Sequence, residues 1–321
     1  MWLARWKHWI VLIGLFKHIS CNVAQVANYE RFCEYASDVV LTKTTGALSL
    51  TPSIFAKSMQ SMGFPTLLST VLTKLDQKQC VKVMSVGGSI CMGRFTSQQQ
   101  NTSFIAFLVD YLNKFYPCTS ADNGENKHSF YNGCMDGCGS GPIFDLLALA
   151  RTNANYSDYT RAILSADLIL VETSVNDAAI GDHVKKYFSQ LDSHQSGAIM
   201  MEILLQVLLR LPNFPGIIYV GSSTKIQTYT RHESVKLAVW TDRLVVPRSF
   251  LSDVAYTQIQ IARYYQIPYI SSIDAIGPFD SPDKAKFFTK VYLHDSWHPS
   301  ETGHHIIASL IMNYLMVQQP N

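Results

Sequence analysis

From residue 80 onward the chain alternates short apolar runs with longer helical ones, and this alternation limits its fold more than any other feature. Val81–Val86, Leu168–Glu172, Gly216–Val220 and Ile267–Ser271 are short and mostly apolar. Runs of that length without an in–out alternation read as strands buried on both faces. Ser129–Asn132 reads as a further strand between the first two. Helical spacing occupies Thr102–Phe115, Pro142–Arg151, Ala198–Leu211, Phe250–Tyr265 and Glu301–Met316, the last entered through Pro299-Ser300-Glu301. Ala198–Leu211 is so apolar that burial on more than one side is expected. Strand–helix–strand units imply an α/β fold, with a five-stranded parallel sheet covered by helices on both faces. In such sheets reactive groups gather beyond the carboxyl ends of the strands.

The remaining segments carry different signals. Arg5, Lys7 and His8 precede the apolar run Trp9 to Phe16, and small or polar residues follow through Ala24. That order predicts a secretory signal peptide over residues 1–24, and a secreted, extracellular protein. A retained membrane anchor or a buried helix is the alternative, although the run is shorter than the roughly 20 residues a bilayer span needs. Residues 25–79 form a mostly helical extension without a motif. Within it Leu67, Leu68, Val71, Leu72 and Leu75 mark one helical face. Residues 80–321 are then the main domain.

Charge and cysteines bound the partners and the compartment. The formal charge of +2 falls to about −1 once residues 1–24, with three basic residues and no acid, are removed. No basic block follows, so nucleic acid is not an expected partner. Of the 7 cysteines (21, 33, 80, 91, 118, 134 and 138), Cys21 leaves with the signal. The even remainder suits three disulfides in a secreted chain, with pairing open; buried free thiols are the alternative. Asn101-Thr-Ser and Asn155-Tyr-Ser have the form of glycosylation acceptors.

Four blocks carry chemistry. Gly87-Gly88-Ser89 closes the first strand, and its glycines permit a tight turn into a helix whose N-terminus favours developing negative charge. A serine hydroxyl becomes a useful nucleophile only when a base takes its proton. His298 is the candidate base, with Asp295 three residues before it to hold the imidazole. Asp295 and Ser300 also suit helix capping. Acyl transfer further needs donors for an oxyanion. Asn176, after the third strand, offers a carboxamide, and Gly137 offers a backbone N–H with no side chain in the way. Gly133, Gly139 and Gly141 compete for that second role. His294, His304 and His305 lie near His298, but their spacing matches no familiar zinc motif, so neither metal nor cofactor is expected.

These blocks, in this order, resemble the SGNH hydrolase family, the GDSL-type esterases and lipases. Ser89 matches the nucleophile, Gly137 the oxyanion glycine with Asn132 before it, and Asn176 the oxyanion asparagine. Asp295, His298 and Pro299 match the Asp-x-x-His-Pro block, and Gly303-His304 follows it. The resemblance covers residues 81–310. It implies a flavodoxin-like three-layer α/β/α sandwich and ester hydrolysis without a metal. Gly-Gly-Ser stands where the family usually has Gly-Asp-Ser, and Ser174 stands where a glycine is common. The missing aspartate is not a catalytic residue, so activity is expected to survive.

The resulting expectation is a secreted serine esterase acting on O-acetyl or other small-acyl esters, on small molecules or on glycans. Ser89, His298 and Asp295 would form the triad. The Ser89 and Gly137 N–H groups and the Asn176 side chain would hold the oxyanion. O-acyl transfer to a sugar hydroxyl, hydrolysis of lipid esters, and a binding protein that has lost turnover are the alternatives. Cys134, Cys138 or both are expected to form disulfides that fix the oxyanion loop, and Cys91 to pack beneath the helix that follows Ser89.

Overall fold

The computed structural model describes residues 23–44, 50–99, 101–119, 126–150, 157–177, 193–222, 248–276, 291 and 298–319. Residues 1–22, Asn155 and Asp295 lie outside this set. Strands β1 (Met59–Ser61), β2 (Lys82–Gly87), β3 (Ser129–Asn132), β4 (Leu168–Glu172), β5 (Gly216–Gly221) and β6 (Tyr269–Ser271) form one sheet in the order β1-β6-β5-β4-β2-β3. The helices are α1 (Val23–Thr44), α2 (Pro52–Ser58), α3 (Ser69–Asp76), α4 (Ser89–Met92), α5 (Phe104–Phe115), α6 (Ser140–Ala150), α7 (Ser157–Ser165), α8 (Ser193–Leu208), α9 (Arg248–Tyr264), α10 (Ser272–Ile276) and α11 (Glu301–Gln318).

Strands β2 to β6 run parallel, and their order places the switch point between β2 and β4, as in flavodoxin-like sheets. The expected five strands are therefore present, but among the described residues the sheet has six. The extra one, β1, pairs antiparallel with β6 from within the segment read as a helical extension. At three residues it carries no readable alternation. It covers the edge of β6 that the parallel strands leave open, and an antiparallel partner needs no crossover helix to reach it.

Strands β2, β4, β5 and β6 split their side chains between two cores. Val83, Leu168, Leu170, Ile218, Val220 and Ile270 face one side, packed with Phe32 of α1, Leu108 of α5 and Leu310 of α11. Met84, Val86, Ile169, Val171, Ile217 and Tyr219 face the other, packed with Ile143 of α6, Ile163 of α7 and Leu204 of α8. Continuous apolar strands are thus used on both faces, as their composition requires. Helix α8 buries a single stripe of Ala198, Met201, Leu204, Leu205 and Leu208, while Ile199 stays exposed. Its apolar excess goes to its flanks, where α6 and α9 pack beside it, rather than to a second buried face.

Among the described residues two disulfides form, Cys80–Cys118 and Cys91–Cys134, while Cys33 and Cys138 are free. Three bridges were expected after loss of Cys21. The remaining two thiols cannot meet, because Cys33 packs on the α1–α11 face of the sheet and Cys138 on the opposite face.

Candidate active site

Strand β2 delivers its last residues to the switch point. The Gly88 N–H donates to the Glu172 carbonyl of β4 at 3.0 Å. Gly87 has to be glycine, since a Cβ there would sit 2.0 Å from the Glu172 carbonyl oxygen. The chain then turns into α4, which begins at Ser89 and is ended after one turn by Gly93 in the left-handed region (φ 78°). Ser89 is buried save for 9% of its surface.

His298 arrives from the opposite direction, just before α11. Ser300 caps that helix by accepting from the Gly303 N–H at 3.4 Å, and the Ser300 N–H donates to the Val291 carbonyl at 2.7 Å. A Cβ at Gly303 would lie 2.5 Å from that same carbonyl, so the close approach requires glycine. The outcome is a hydrogen bond between His298 Nε2 and Ser89 Oγ at 2.8 Å, across 209 residues of sequence. That distance suits proton transfer from hydroxyl to imidazole. Asp295 lies outside the described residues.

Asn176 belongs to the helical turn over 174–177 that follows β4. Its carboxamide lies against Gly88, where a Cβ would be 2.7 Å from Oδ1 and 2.8 Å from Nδ2. The amide therefore sits directly beside the residue that precedes Ser89.

The loop after β3 supplies the third wall. Its early N–H groups are taken: Gly133 donates to Ser85, Met135 to Gly87, and Cys134 to Asn132 Oδ1. Gly133 is thereby removed from the competing glycines. Gly141 lies inside α6, and Gly139 is buried at the start of that helix. Gly137 is exposed, has φ 71°, and meets nothing within 4 Å of a virtual Cβ. Its N–H makes no hydrogen bond among the described residues. Asn132, which ends β3 just before this loop, donates from Nδ2 to the Cys91 carbonyl at 3.4 Å. The Cys91–Cys134 disulfide and an Arg94–Asp136 ion pair make the same connection. The expectation that Cys134 fixes the loop holds, with Cys91 as its partner; Cys138 stays free.

Two buried carboxylates lie beneath these walls. Glu172 accepts from the Cys91 N–H at 3.2 Å and from Ser174 Oγ at 3.1 Å, and burial pushes its pKa up to about 7. Asp177 accepts from the Ser140 N–H and hydroxyl, both at 2.7 Å, from Thr173 Oγ1 at 2.8 Å and from Gln258 at 3.1 Å. Burial raises its pKa to about 6. Glu172 thus underpins the serine turn, and Asp177 ties the Asn176 turn to the end of the Gly137 loop. Sequence reading passed over both. A charged residue ending a fully apolar strand was the available signal for Glu172, since such residues are almost never buried without partners.

Phe95 was also passed over. Its ring meets the His298 imidazole edge-to-face, with centroids 5.3 Å apart. His304 is fully buried and stacked on Phe104, and burial lowers its pKa to about 3, so it stays neutral. His305 stacks on Phe107 and meets the Tyr111 hydroxyl at 3.0 Å. Both belong to the packing of α11 on α5. Among the described residues no group of three or more His, Cys, Asp or Glu side chains is placed to hold a metal ion. No helix among them is long and apolar enough to cross a membrane.

No protein-family model matches the chain, and no curated protein matches it in sequence. Solved structures do match in fold. A two-domain esterase, CEX, active on acetylated mannans, superposes with a TM-score of 0.55 at 15% identity, covering 83% of this chain and 57% of that one. The chain thus spans little more than half the length of that enzyme. A catalytic mutant of Axe2, an acetylxylan esterase from Geobacillus stearothermophilus, gives a TM-score of 0.47 at 15% identity, covering 73% of this chain and 94% of that one. The lipase Lip_vut3 from a goat rumen metagenome gives 0.48 at 14% identity, covering 73% and 97%. The first of these likenesses establishes the three-layer α/β fold.

Proposed function

We propose that this chain is a serine esterase of the SGNH type, acting on small-acyl esters of small molecules or glycans. The observation that carries the reading is the 2.8 Å contact between Ser89 Oγ and His298 Nε2 at the switch point of the sheet. A fold alone would not carry it, because one fold hosts many functions.

The chemistry follows from the roles proposed for these residues. As Ser89 Oγ attacks the ester carbonyl, its proton passes to His298 Nε2. The carbonyl oxygen becomes an oxyanion, held by the Asn176 carboxamide and the N–H groups of Ser89 and Gly137. Collapse expels the alcohol, which takes the proton from Nε2 and leaves an acyl-serine. Water then attacks, gives a proton to the same nitrogen, and releases the carboxylic acid as Oγ recovers that proton. Asp295 holds the Nδ1–H side of the imidazole in this scheme. Residues 80–321 are assigned to the catalytic unit, residues 25–79 to an extension of it and residues 1–24 to a cleaved secretory signal. Two disulfides support an oxidising compartment. Asn101, exposed on the surface, and Asn155 are the proposed glycosylation sites.

The test is turnover of p-nitrophenyl acetate, butyrate and octanoate beside Ser89→Ala, together with labelling of Ser89 by a fluorophosphonate. Loss of turnover and of labelling in the mutant is expected, with acetate the preferred acyl group. A folded wild-type protein that neither labels nor hydrolyses any of the three would sink the esterase reading. A preference for octanoate would make the enzyme a lipase.

A further inference from the structure

Phe95 combines three properties that core packing does not explain. It is a bulky side chain held at φ 65°, a conformation disfavoured for any residue with a Cβ. It is 45% exposed. It also lies edge-to-face on the candidate catalytic imidazole. Strain of this kind persists where the surrounding structure enforces it, and it clusters at functional sites. The enforcement is visible here. Gly93 turns the chain just before it, the Arg94 guanidinium lies 4.7 Å from the Phe95 ring centroid, and Arg94 is itself paired with Asp136 of the Gly137 loop.

The position has a chemical meaning if the esterase reading, on which this inference rests, is right. The leaving oxygen takes its proton from His298 Nε2 and must come within hydrogen-bond reach of it. The alcohol body therefore leaves on the imidazole side of Ser89, where Phe95 stands. An aromatic face carries a negative quadrupole that attracts weakly positive C–H groups. Beside the ring, the Asp136 carboxylate is 46% exposed and the Arg94 guanidinium 25% exposed. A long-chain alcohol would meet charges there that it could not satisfy. A sugar ring presents C–H groups on its face and hydroxyls at its rim, which fits an aromatic platform bordered by an ion pair.

We infer that Phe95, with the Arg94–Asp136 pair, forms the subsite for the leaving alcohol and selects a pyranose ring there. Phe95 is thus a specificity-determining residue and takes no part in proton transfer. The test compares two acetates that differ only in the alcohol, a mono-O-acetyl methyl pyranoside and ethyl acetate, by pH-stat. The quantity read is the ratio of their kcat/KM values. Wild-type protein is expected to favour the pyranoside. Phe95→Ala is expected to lower the ratio at least tenfold, chiefly through KM for the sugar ester, and Phe95→Trp to preserve it. Phe95→Gly, which suits the left-handed backbone, should match the alanine variant and guards against misfolding. An unchanged ratio in both Phe95→Ala and Phe95→Gly would overturn the inference, whether or not both rates fall, as would a wild-type enzyme that favours ethyl acetate. Wild-type protein inert to both esters, with Ser89 unlabelled by fluorophosphonate, would instead remove the esterase reading and this inference with it.

Discussion

An alanine at Gly88 adds one carbon to the residue before the proposed nucleophile. The backbone accepts it, since Gly88 has φ −94° and ψ −156°. The space does not: the new carbon would lie 2.7 Å from Asn176 Oδ1 and 2.8 Å from its Cγ and Nδ2. Carbon contacts settle near about 3.5–4.0 Å, so the carboxamide must move by roughly 1 Å. That group is the end of a rotatable side chain, and the fold should absorb the shift with a stability change of about 1 kcal/mol or less. Catalysis should not absorb it, because an oxyanion donor is effective only at about 2.7–3.1 Å. The expected loss approaches that of removing a donor outright, about a hundred- to a thousandfold in kcat, or roughly 3–4 kcal/mol. The assay measures kcat on p-nitrophenyl acetate and the thermal midpoint for Gly88→Ala, Asn176→Ala and the double variant. Both single variants should be slow with near-native midpoints. The double should be no slower than Asn176→Ala, since both changes remove one donor. A Gly88→Ala enzyme within threefold of wild type, or a double variant showing the product of both losses, would refute the placement of Asn176. The same geometry predicts that Gly88→Asp, which would create the Gly-Asp-Ser usual in the SGNH hydrolases that these motifs resemble, harms this protein at least as much.

Other consequences are equally open to measurement. Gly87→Ala meets a backbone carbonyl rather than a side chain, at 2.0 Å. It should cost about 1–3 kcal/mol or more of stability, read as a lowered urea midpoint; a native midpoint would contradict the β2–β4 register. The two disulfides close loops of similar length, with separations of 38 and 43 residues. Chain entropy gives each about 4 kcal/mol at most. Serine pairs replacing Cys80–Cys118 or Cys91–Cys134 should therefore lower the thermal midpoint comparably, but only the second, which joins α4 to the Gly137 loop, should also lower kcat. Equal activities in the two would refute that role. Burial raises the pKa of Glu172 from 4.5 to about 7 and of Asp177 from 3.8 to about 6. The folded state then binds protons more tightly than the unfolded state, so stability from these groups is fully present below about pH 4 and falls as pH rises towards 7. Together they amount to a few kcal/mol as an order of magnitude. Glu172→Gln should flatten the decline of the urea midpoint between pH 4.5 and 7, and an unaltered slope would show that Glu172 does not titrate there.

Placing two carboxylates beneath the site has a structural logic. The connections after β2 and β3 leave backbone N–H groups without ladder partners, and buried donors must be satisfied. Glu172 takes the Cys91 N–H of α4, and Asp177 takes the Ser140 N–H of α6. Each accepts several hydrogen bonds, which offsets part of the cost of burying a charge. The turn bearing Ser89 and the turn bearing Asn176 are thereby fixed from below.

The sequence by itself determined the layers and the proposed reacting pair. Apolar strands such as Leu168–Glu172 have no polar face to expose, so a parallel sheet covered on both sides was the economical way to bury them. Ser89 and His298 could be singled out because glycine turns and a capped helix start leave local marks; the fold sets the two 2.8 Å apart. Contacts between distant segments were decided only by the tertiary structure. Cys91 and Cys134 are joined because β2 and β3 are neighbours in the sheet, a pairing that spacing alone leaves among many. Strand β1 is too short for a pattern and exists because β6 offers it an edge. Gly88 is read locally as a flexible turn, yet its lack of a Cβ is filled by Asn176, 88 positions later in the chain. Phe95 looks like any loop aromatic until the fold sets it against His298. Local propensity acts over a few residues. The packing that gives these four positions their roles acts between segments that meet only when the sheet closes.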